Sequence, residues 1–522
     1  MIKQVLLGGL QLLMLLMTAS ACYEDKGNYD YNEVPVITAE NMPQSITVIA
    51  NVEPITLTPS FTSSTEGNID GNASFRFGCR LYKQGGTFED GERFIDIDEE
   101  GKKDIAYTPA VSEGDYVCWY TVTDTRTDVT TNFQIPVKVT SATYEGWMVL
   151  CDDEQEQVRL DFIAALSGNR MVPIYHVLGE SLPALQHANS LFYDAWPRYA
   201  KGDDIRFTSG SGTYSINNNT LQGEANSNIT ELDFIIRPQD EEVVALSNIY
   251  QYCHFAITNK GNLYKKFTWM AGGAFEDPIN TLEAGTKPQF TVEPHVGVIM
   301  RRPMGDGDNV ALFYDKDNQR FLKWSDAIED GNACVELSDP TGALFSFHTG
   351  KNLVDMVSTR FSDGVIYSIL EDAAGRYVYG INLAGGSFAQ TYYQKIDAPG
   401  FAQASQFAFH SQYPYMFYND GDKICCYHLM NKTVSTPLTL GGEEITLLKF
   451  NLYQRSRENL GNQTDEFWNQ QYNLIVGSCK KGAGPDQGIL RFYKFDQTTG
   501  TLTLLSEYTG FGKIRDVLYR ER

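Results

Sequence analysis

The sequence predicts an all-β protein in two parts, an immunoglobulin-like β-sandwich followed by a β-propeller of seven blades. Three observations lead there. Among 522 residues, 30 Tyr and 29 Phe dominate the aromatic content, and these types fit a pleated, half-buried surface. Residues 44–142 carry short alternating apolar strands divided by turn residues. From 143 to 522 an apolar strand, a tight polar turn and a returning apolar strand recur seven times.

In the first part, Ile46–Ile49 and Ile55–Thr58 read as short strands. Phe75, Phe77, Cys79 and Leu81 then share one face of a strictly alternating strand, and Tyr116, Cys118, Tyr120 and Val122 share one face of another. Phe133–Val139 closes the module. About 100 residues of strand and turn is the size of an immunoglobulin-like sandwich. Cys79 and Cys118 both face the expected core, on strands that could lie in opposite sheets. A disulfide and a pair of buried thiols both fit that placement.

In the second part the hairpin turns fall near residues 154, 211, 260, 317, 374, 421 and 484, roughly 47 to 63 residues apart. Such spacing is that of propeller blades, somewhat longer than the ~40–50 of compact repeat families. Leu353–Val357, Ser405–Phe409 and Ile445–Phe450 precede hairpins and suit strands nearest the axis. The first hairpin, Trp147–Leu150 with Val158–Phe162, has no strand directly before it. Lys513–Tyr519 supplies one, so the expectation is a ring closed by pairing of this segment with Trp147–Leu150. Closure of that kind removes two exposed edges.

The opening residues carry a separate signal. Lys3 is followed by an apolar run from Val5 to Met17 and the small residues Thr18 to Ala21 before Cys22. About 13 apolar residues are too few for a bilayer span, which needs ~20, and instead suit a signal peptide. Ala19-Ser20-Ala21-Cys22 resembles a lipobox, with Ala19 where Leu is usual. The expected plan is a signal peptide at 1–21, a lipid on Cys22, a polar linker to 43, the sandwich at 44–142 and the propeller at 143–522. Glu24 and Asp25, directly after Cys22, resemble the surface-export signal of Bacteroidota lipoproteins. The net charge of −24 repels phosphate backbones and argues against nucleic-acid partners.

Motifs for chemistry are sparse. The seven His residues form no HxH or HExxH spacing, so no zinc site is expected. There is no GxSxG elbow and no Walker loop. Nine cysteines without a CxxC form no metal or disulfide framework. No catalytic residue, metal or cofactor is assigned. The chief departure from blade regularity is the insertion 451–471, which contains Arg455, Arg457, Phe467 and Trp468. Arg301 and Arg302 occupy the equivalent place in the fourth blade. Long loops on rigid scaffolds tend to carry function, and Trp, Phe and Arg suit contact surfaces. These six residues are the candidate ligand or partner loops, with an ordinary surface excursion as the alternative.

Cys22-Tyr23-Glu24-Asp25-Lys26-Gly27-Asn28-Tyr29-Asp30-Tyr31 and Tyr144-Glu145-Gly146-Trp147 resemble the opening and domain junction of PKD-like family lipoproteins of Bacteroidota. Gly114–Asp124 is similar to the last strand of a PKD repeat, with Cys118 in place of Val. The resemblance implies a lipid-anchored outer-membrane protein facing the cell exterior and associated with TonB-dependent, starch-utilisation-type uptake. It carries over no catalytic residue. The expected function is an accessory that captures an extracellular ligand, glycan or protein. A propeller hydrolase acting on extracellular glycan and a purely structural transporter partner are the alternatives.

Overall fold

A computed structural model describes residues 35–50, 52–84, 94–97, 101–111, 113–166, 170–195, 202–250, 252–269, 273–299, 309–326, 332–455, 464–480 and 486–521. Cys22, Arg301, Arg302 and Arg457 lie outside these. The chain is all-β and divides into two compact units with the boundary at Val139 and Thr140. Among the described residues, no helix is long and apolar enough to cross a membrane.

The first unit holds a five-stranded sheet in the order Ile46–Ile49, Val129–Thr140, Gly114–Asp124, Phe75–Lys83 and Ile95–Asp96. A three-stranded sheet joins Ile37–Glu40, Ser60–Ser63 and Gly67–Asn68, and Ile55–Leu57 pairs with Ile105–Tyr107. The linker expected to reach 43 therefore already contains a strand, because Ile37 buries its side chain and Ile37–Glu40 pairs with Ser60–Ser63. Period-two alternation places Phe75, Phe77, Cys79 and Leu81 in the core, as the sequence pattern requires. Phe61 packs there against Phe77, Tyr120 and Phe133, with ring centroids 5.3–5.6 Å apart.

Cys79 and Cys118 do not sit in opposite sheets. Their strands are antiparallel neighbours, with Cys79 opposite Tyr120 and Cys118 opposite Leu81. The two residues are thus diagonal partners on one buried face, where side chains meet across a strand pair. Both are thiols, with the sulfurs 3.0 Å apart.

The second unit is a ring of seven antiparallel sheets. Blade 1 runs from the outside as Arg170–Ile174, Val158–Leu166, Gly146–Asp152 and Lys513–Arg520. The inner strands of blades 2 to 7 are Ala188–Asp194, Val243–Ile249, Gly297–Val298, Asn352–Ser358, Phe407–Phe409 and Glu443–Lys449. Each inner strand contacts the next in this order, and Glu443–Lys449 contacts Lys513–Arg520, which contacts Ala188–Asp194. That circuit closes the ring. Six blades have four strands and blade 3 has three among the described residues.

Alternation within a blade makes the ring cohere. Trp147, Val149 and Cys151 pack with Ile475, Leu490 and Phe492 of blade 7. Met148 and Leu150, on the other face of the same strand, pack with Leu191, Tyr193 and Phe207 of blade 2. Each such apolar side chain contributes on the order of 1.5–3 kcal/mol through burial. The strand Lys513–Arg520 pairs with the first hairpin from Gly146↔Arg520 to Asp152↔Lys513, with one irregularity after Leu150. It enters over the Asp152 carbonyl so closely that a Cβ on Gly512 would lie 2.3 Å from that oxygen, which only glycine tolerates.

Oxidation of Cys79 and Cys118 should cost little backbone movement. In an oxidising glutathione buffer the unfolded protein is expected to titrate two fewer thiols than the reduced form, and Cys79→Ser should abolish that loss. The bridge would span 39 residues and add about 3–4 kcal/mol of stability. An unchanged thiol count would show that the strands hold the sulfurs too rigidly to bond.

Candidate axial binding site

A cavity of about 400 Å³ lies within the ring, inside the usual range for small-ligand sites. Its walls come from the later residues of the inner strands: Leu191–Tyr193 of blade 2, Leu246–Asn248 of blade 3, Asp355–Ser358 of blade 5, Gln406–Phe409 with blade 6, Leu447–Lys449 of blade 7 and Leu518–Tyr519 of blade 1. An inner strand has a neighbour on one side only, so alternate backbone N–H and C=O groups face inward and can meet a guest. Ser411, Asn451, Gln454 and Glu521, which follow the inner strands in sequence, border the same end.

That end is tied together by a polar network. Glu521 is 1% exposed, and its carboxylate accepts the Gln454 N–H at 2.6 Å and the Arg455 N–H at 2.7 Å. Burial pushes the Glu521 carboxyl up to about 7, against these donors and the Arg455 and Arg360 charges that pull it down. The Gln454 side chain accepts the Ala195 N–H at 2.9 Å and donates to the Tyr193 carbonyl at 2.5 Å. Arg455 donates to Asp203 at 2.7 Å, and the Tyr193 hydroxyl donates to the same carboxylate at 3.0 Å. Segments of blades 1, 2 and 7 are thereby fastened to one another.

One further ion pair and one carboxylate–imidazole contact border the cavity. Asp516, on the closing strand, accepts Lys449 Nζ at 2.6 Å and the Leu191 N–H at 2.8 Å. Asp355 stands 3.6 Å from His295. Burial raises its carboxyl above the ordinary range, and the His295 charge works in the opposite direction. Behind Phe192, His254 and Asp194 meet at 2.6 Å, and the His254 ring lies edge-on to Phe192 at 4.8 Å. Arg206 links Asp204 and Asp233 there. Burial alone would raise Asp204, but the Arg206 charge and hydrogen bonds hold it down at about 2.

The described candidates of the blade 7 insertion do not lie where the sequence suggests. Arg455, Phe467 and Trp468 are buried rather than displayed. Phe467 and Trp468 sit on the short helix Asp465–Asn469, whose first turn is capped by the Thr464 hydroxyl. Phe467 stacks on Tyr453 at 4.7 Å and meets Tyr519 at 5.6 Å. The aromatic content that suggested a contact surface instead seals the back of the closing strand, and the Arg455 guanidinium binds Asp203. Asn248, Asp355, Lys449, Asn451 and Glu521 were missed. The signal for Asp355, Lys449 and Asn451 was present, since each lies at or just beyond an apolar run already assigned to the axis. Nothing local marked Asn248 or Glu521. Among the described residues, no group of three or more His, Cys, Asp or Glu side chains could hold a metal ion.

The family model described as "PKD-like family" matches residues 22–182, which takes in the sandwich and the first hairpin of the ring. Among solved structures, the chain is similar to a quinonprotein alcohol dehydrogenase-like protein of Bacteroides thetaiotaomicron, at 10% identity over 94% of this chain and 97% of that one, with a TM-score of 0.38. A protein from Lactobacillus plantarum matches at 11% identity over 72% and 100%, with a TM-score of 0.43. The Cps50 (Swd1) β-propeller domain of Myceliophteria thermophila matches at 7% identity over 67% and 98%, with a TM-score of 0.40. No curated protein matches the sequence.

Glu521 gives the site a pH signature. Its folded value of about 7 exceeds the ordinary 4.5, so the native state binds the proton more tightly than the unfolded chain. The stability it contributes is present below about pH 4.5 and lost as pH rises through 7, by about 3 kcal/mol. Urea unfolding between pH 4.5 and 8 should show this decline, and Glu521→Gln should flatten it. An identical slope in the variant would assign the decline to other groups.

Proposed function

We propose that this chain is an outer-membrane lipoprotein, anchored through Cys22 and facing the cell exterior, that captures a ligand at the ring axis as an accessory of a TonB-dependent nutrient uptake system. The observation that carries the capture reading is the axial cavity, where apolar side chains, four amides and the free edges of several inner strands converge on one space. The Ala19–Cys22 tetrapeptide, the acidic pair after it and the match to the PKD-like family model support the anchoring half.

Capture is preferred to hydrolysis because of how the bordering carboxylates are engaged. A hydrolase needs an acid and a base with oxygens open to substrate. Asp516 is held by Lys449 and a backbone N–H, and Glu521 by two backbone N–H groups, which leaves Asp355, bonded to the Met356 N–H through one oxygen, without a second open carboxylate to work with. Such carboxylates hold the scaffold together.

Two measurements on native cells test the proposal. Radiolabelled palmitate is expected on the wild-type protein and absent from Cys22→Ala. Chemical cross-linking in intact outer membranes, followed by affinity purification, is expected to recover a TonB-dependent channel with the wild-type chain. A protein that takes no label, or that comes down without any channel, sinks the corresponding half.

A further inference from the structure

A second cavity, of about 360 Å³, borders Leu263–Phe267, the outer strand of blade 3. Blade 3 has three strands among the described residues, so this strand has no partner strand on its outer side. The Leu263 carbonyl accepts the Ile279 N–H at 2.7 Å, and the Leu263 N–H donates to Asn280 Oδ1 at 3.2 Å. Leu263 therefore turns its main chain outward, and alternation along the strand turns that of Lys265 the same way. Among the described residues nothing meets the Lys265 main chain there.

The Lys265 side chain points to a ligand more directly. Lys265 lines the cavity and is 9% exposed. Among the described residues no carboxylate lies within ion-pairing distance of its Nζ. The Phe267 ring, 4.3 Å from Nζ, attracts the charge but offers no oxygen to the three N–H donors of an ammonium. Nζ is not sealed from solvent, as the unpartnered amide nitrogens of Asn248 and Asn451 are. With about nine-tenths of the residue buried, that accessible surface opens on the cavity it lines. Burial pushes the amine below its ordinary value, and the charge of Glu276 on the cavity wall works the other way. Because Glu276 is felt at Nζ, the amine lies on the cavity's side of the strand. Buried ammonium groups are almost always paired. Here the missing partner is an anion from outside.

The rim narrows the class. Glu276, Asp277 and Lys287 are exposed there. One ammonium on the floor suits one negative charge, and two rim carboxylates oppose a doubly charged phosphate. Ile279, Pro278 and Pro288 supply apolar wall, and Thr286 and Asn332 supply polar groups.

We propose that this cavity is a second binding site, for a small molecule bearing a single carboxylate that pairs with the Lys265 ammonium. A cationic group on the same molecule would face Glu276 and Asp277, so an amino acid suits the site better than a hydroxy acid. The site is separate from the axial cavity, and its failure would leave the capture reading untouched.

The test uses the full-length protein in detergent micelles. Calorimetry and saturation-transfer NMR are run with alanine, glutamine, lactate and glucuronate, against alaninol, lactamide, glucose and inorganic phosphate. At least one carboxylate is expected to bind about tenfold or more tightly than the uncharged molecules and phosphate, with alanine ahead of lactate. Lys265→Met removes the charge at similar length and should abolish binding. Its melting temperature should hold or rise, because an unpaired buried charge is lost. Glu276→Gln, at an exposed position, should remove the advantage of alanine over lactate, and gives a second reading should Lys265→Met fold poorly. Silence of every carboxylate, equal binding of lactamide or phosphate, or unchanged binding by folded Lys265→Met would overturn the proposal. So would a lowered melting temperature in Lys265→Met, which would mean that the fold already satisfies the ammonium, or an advantage of alanine that survives Glu276→Gln.

Discussion

Everything in the second unit depends on one backbone pairing, that of Lys513–Arg520 with Gly146–Asp152. A ring of sheets has no beginning until some strand joins its first sheet to its last. Here the join is made inside blade 1, so the innermost position is filled from a segment more than 360 residues away in sequence. Two edges that would otherwise be exposed are consumed in the process. The pairing is reinforced from both sides: Asp516 reaches Lys449 of blade 7 and the Leu191 backbone of blade 2. Arg520, fully buried, donates to the carbonyls of Thr143 and Asn218. The same strand thus supplies backbone, charge and burial at the one place where the ring would otherwise open.

The cavity is a consequence of this closure. Seven inner strands that lean on one another leave a space at the axis, and the residues just after them decide what that space offers. Blade 7 contributes most, because Asn451, Leu452 and Gln454 at the start of its insertion line the space along with its inner strand. Tyr453, Phe467 and Trp468 anchor it against Tyr519, while Gln454 and Arg455 deliver their N–H groups to Glu521. The insertion is therefore part of the closure as well as part of the site. Burial and polar satisfaction are coupled there, and a change in one is felt in the other.

Much of the fold was legible in the sequence because period-two alternation and turn residues are local signals. Six of the seven hairpins coincide with the two middle strands of a blade and the third with the last two strands of blade 3, and the apolar Ile514, Val517, Leu518 and Tyr519 of the tail suited a strand. Legibility failed where meaning depends on neighbours distant in the chain. Cys79 and Cys118 were rightly given to one core, but whether two strands are neighbours or face one another is a matter of pairing, which alternation does not encode. Arg455, Phe467 and Trp468 read as a contact surface because loops usually lie outside. What buries them is Tyr519 and Asp203, residues that nothing near 455 or 467 announces. The axial residues failed for a related reason: Asn248 is an unremarkable polar residue in a strand until the ring brings it to the axis with Asn451.

Hydrogen–deuterium exchange across Gly146–Asp152 tests closure most directly, comparing the full chain with one ending at Gly512. The account predicts that these amides exchange only through global unfolding in the full chain and become fast when Lys513–Arg520 is absent, with blades 4 and 5 losing protection less. Undiminished protection of Gly146–Asp152 in the shortened chain would mean that the ring does not depend on that strand, and the account would be wrong.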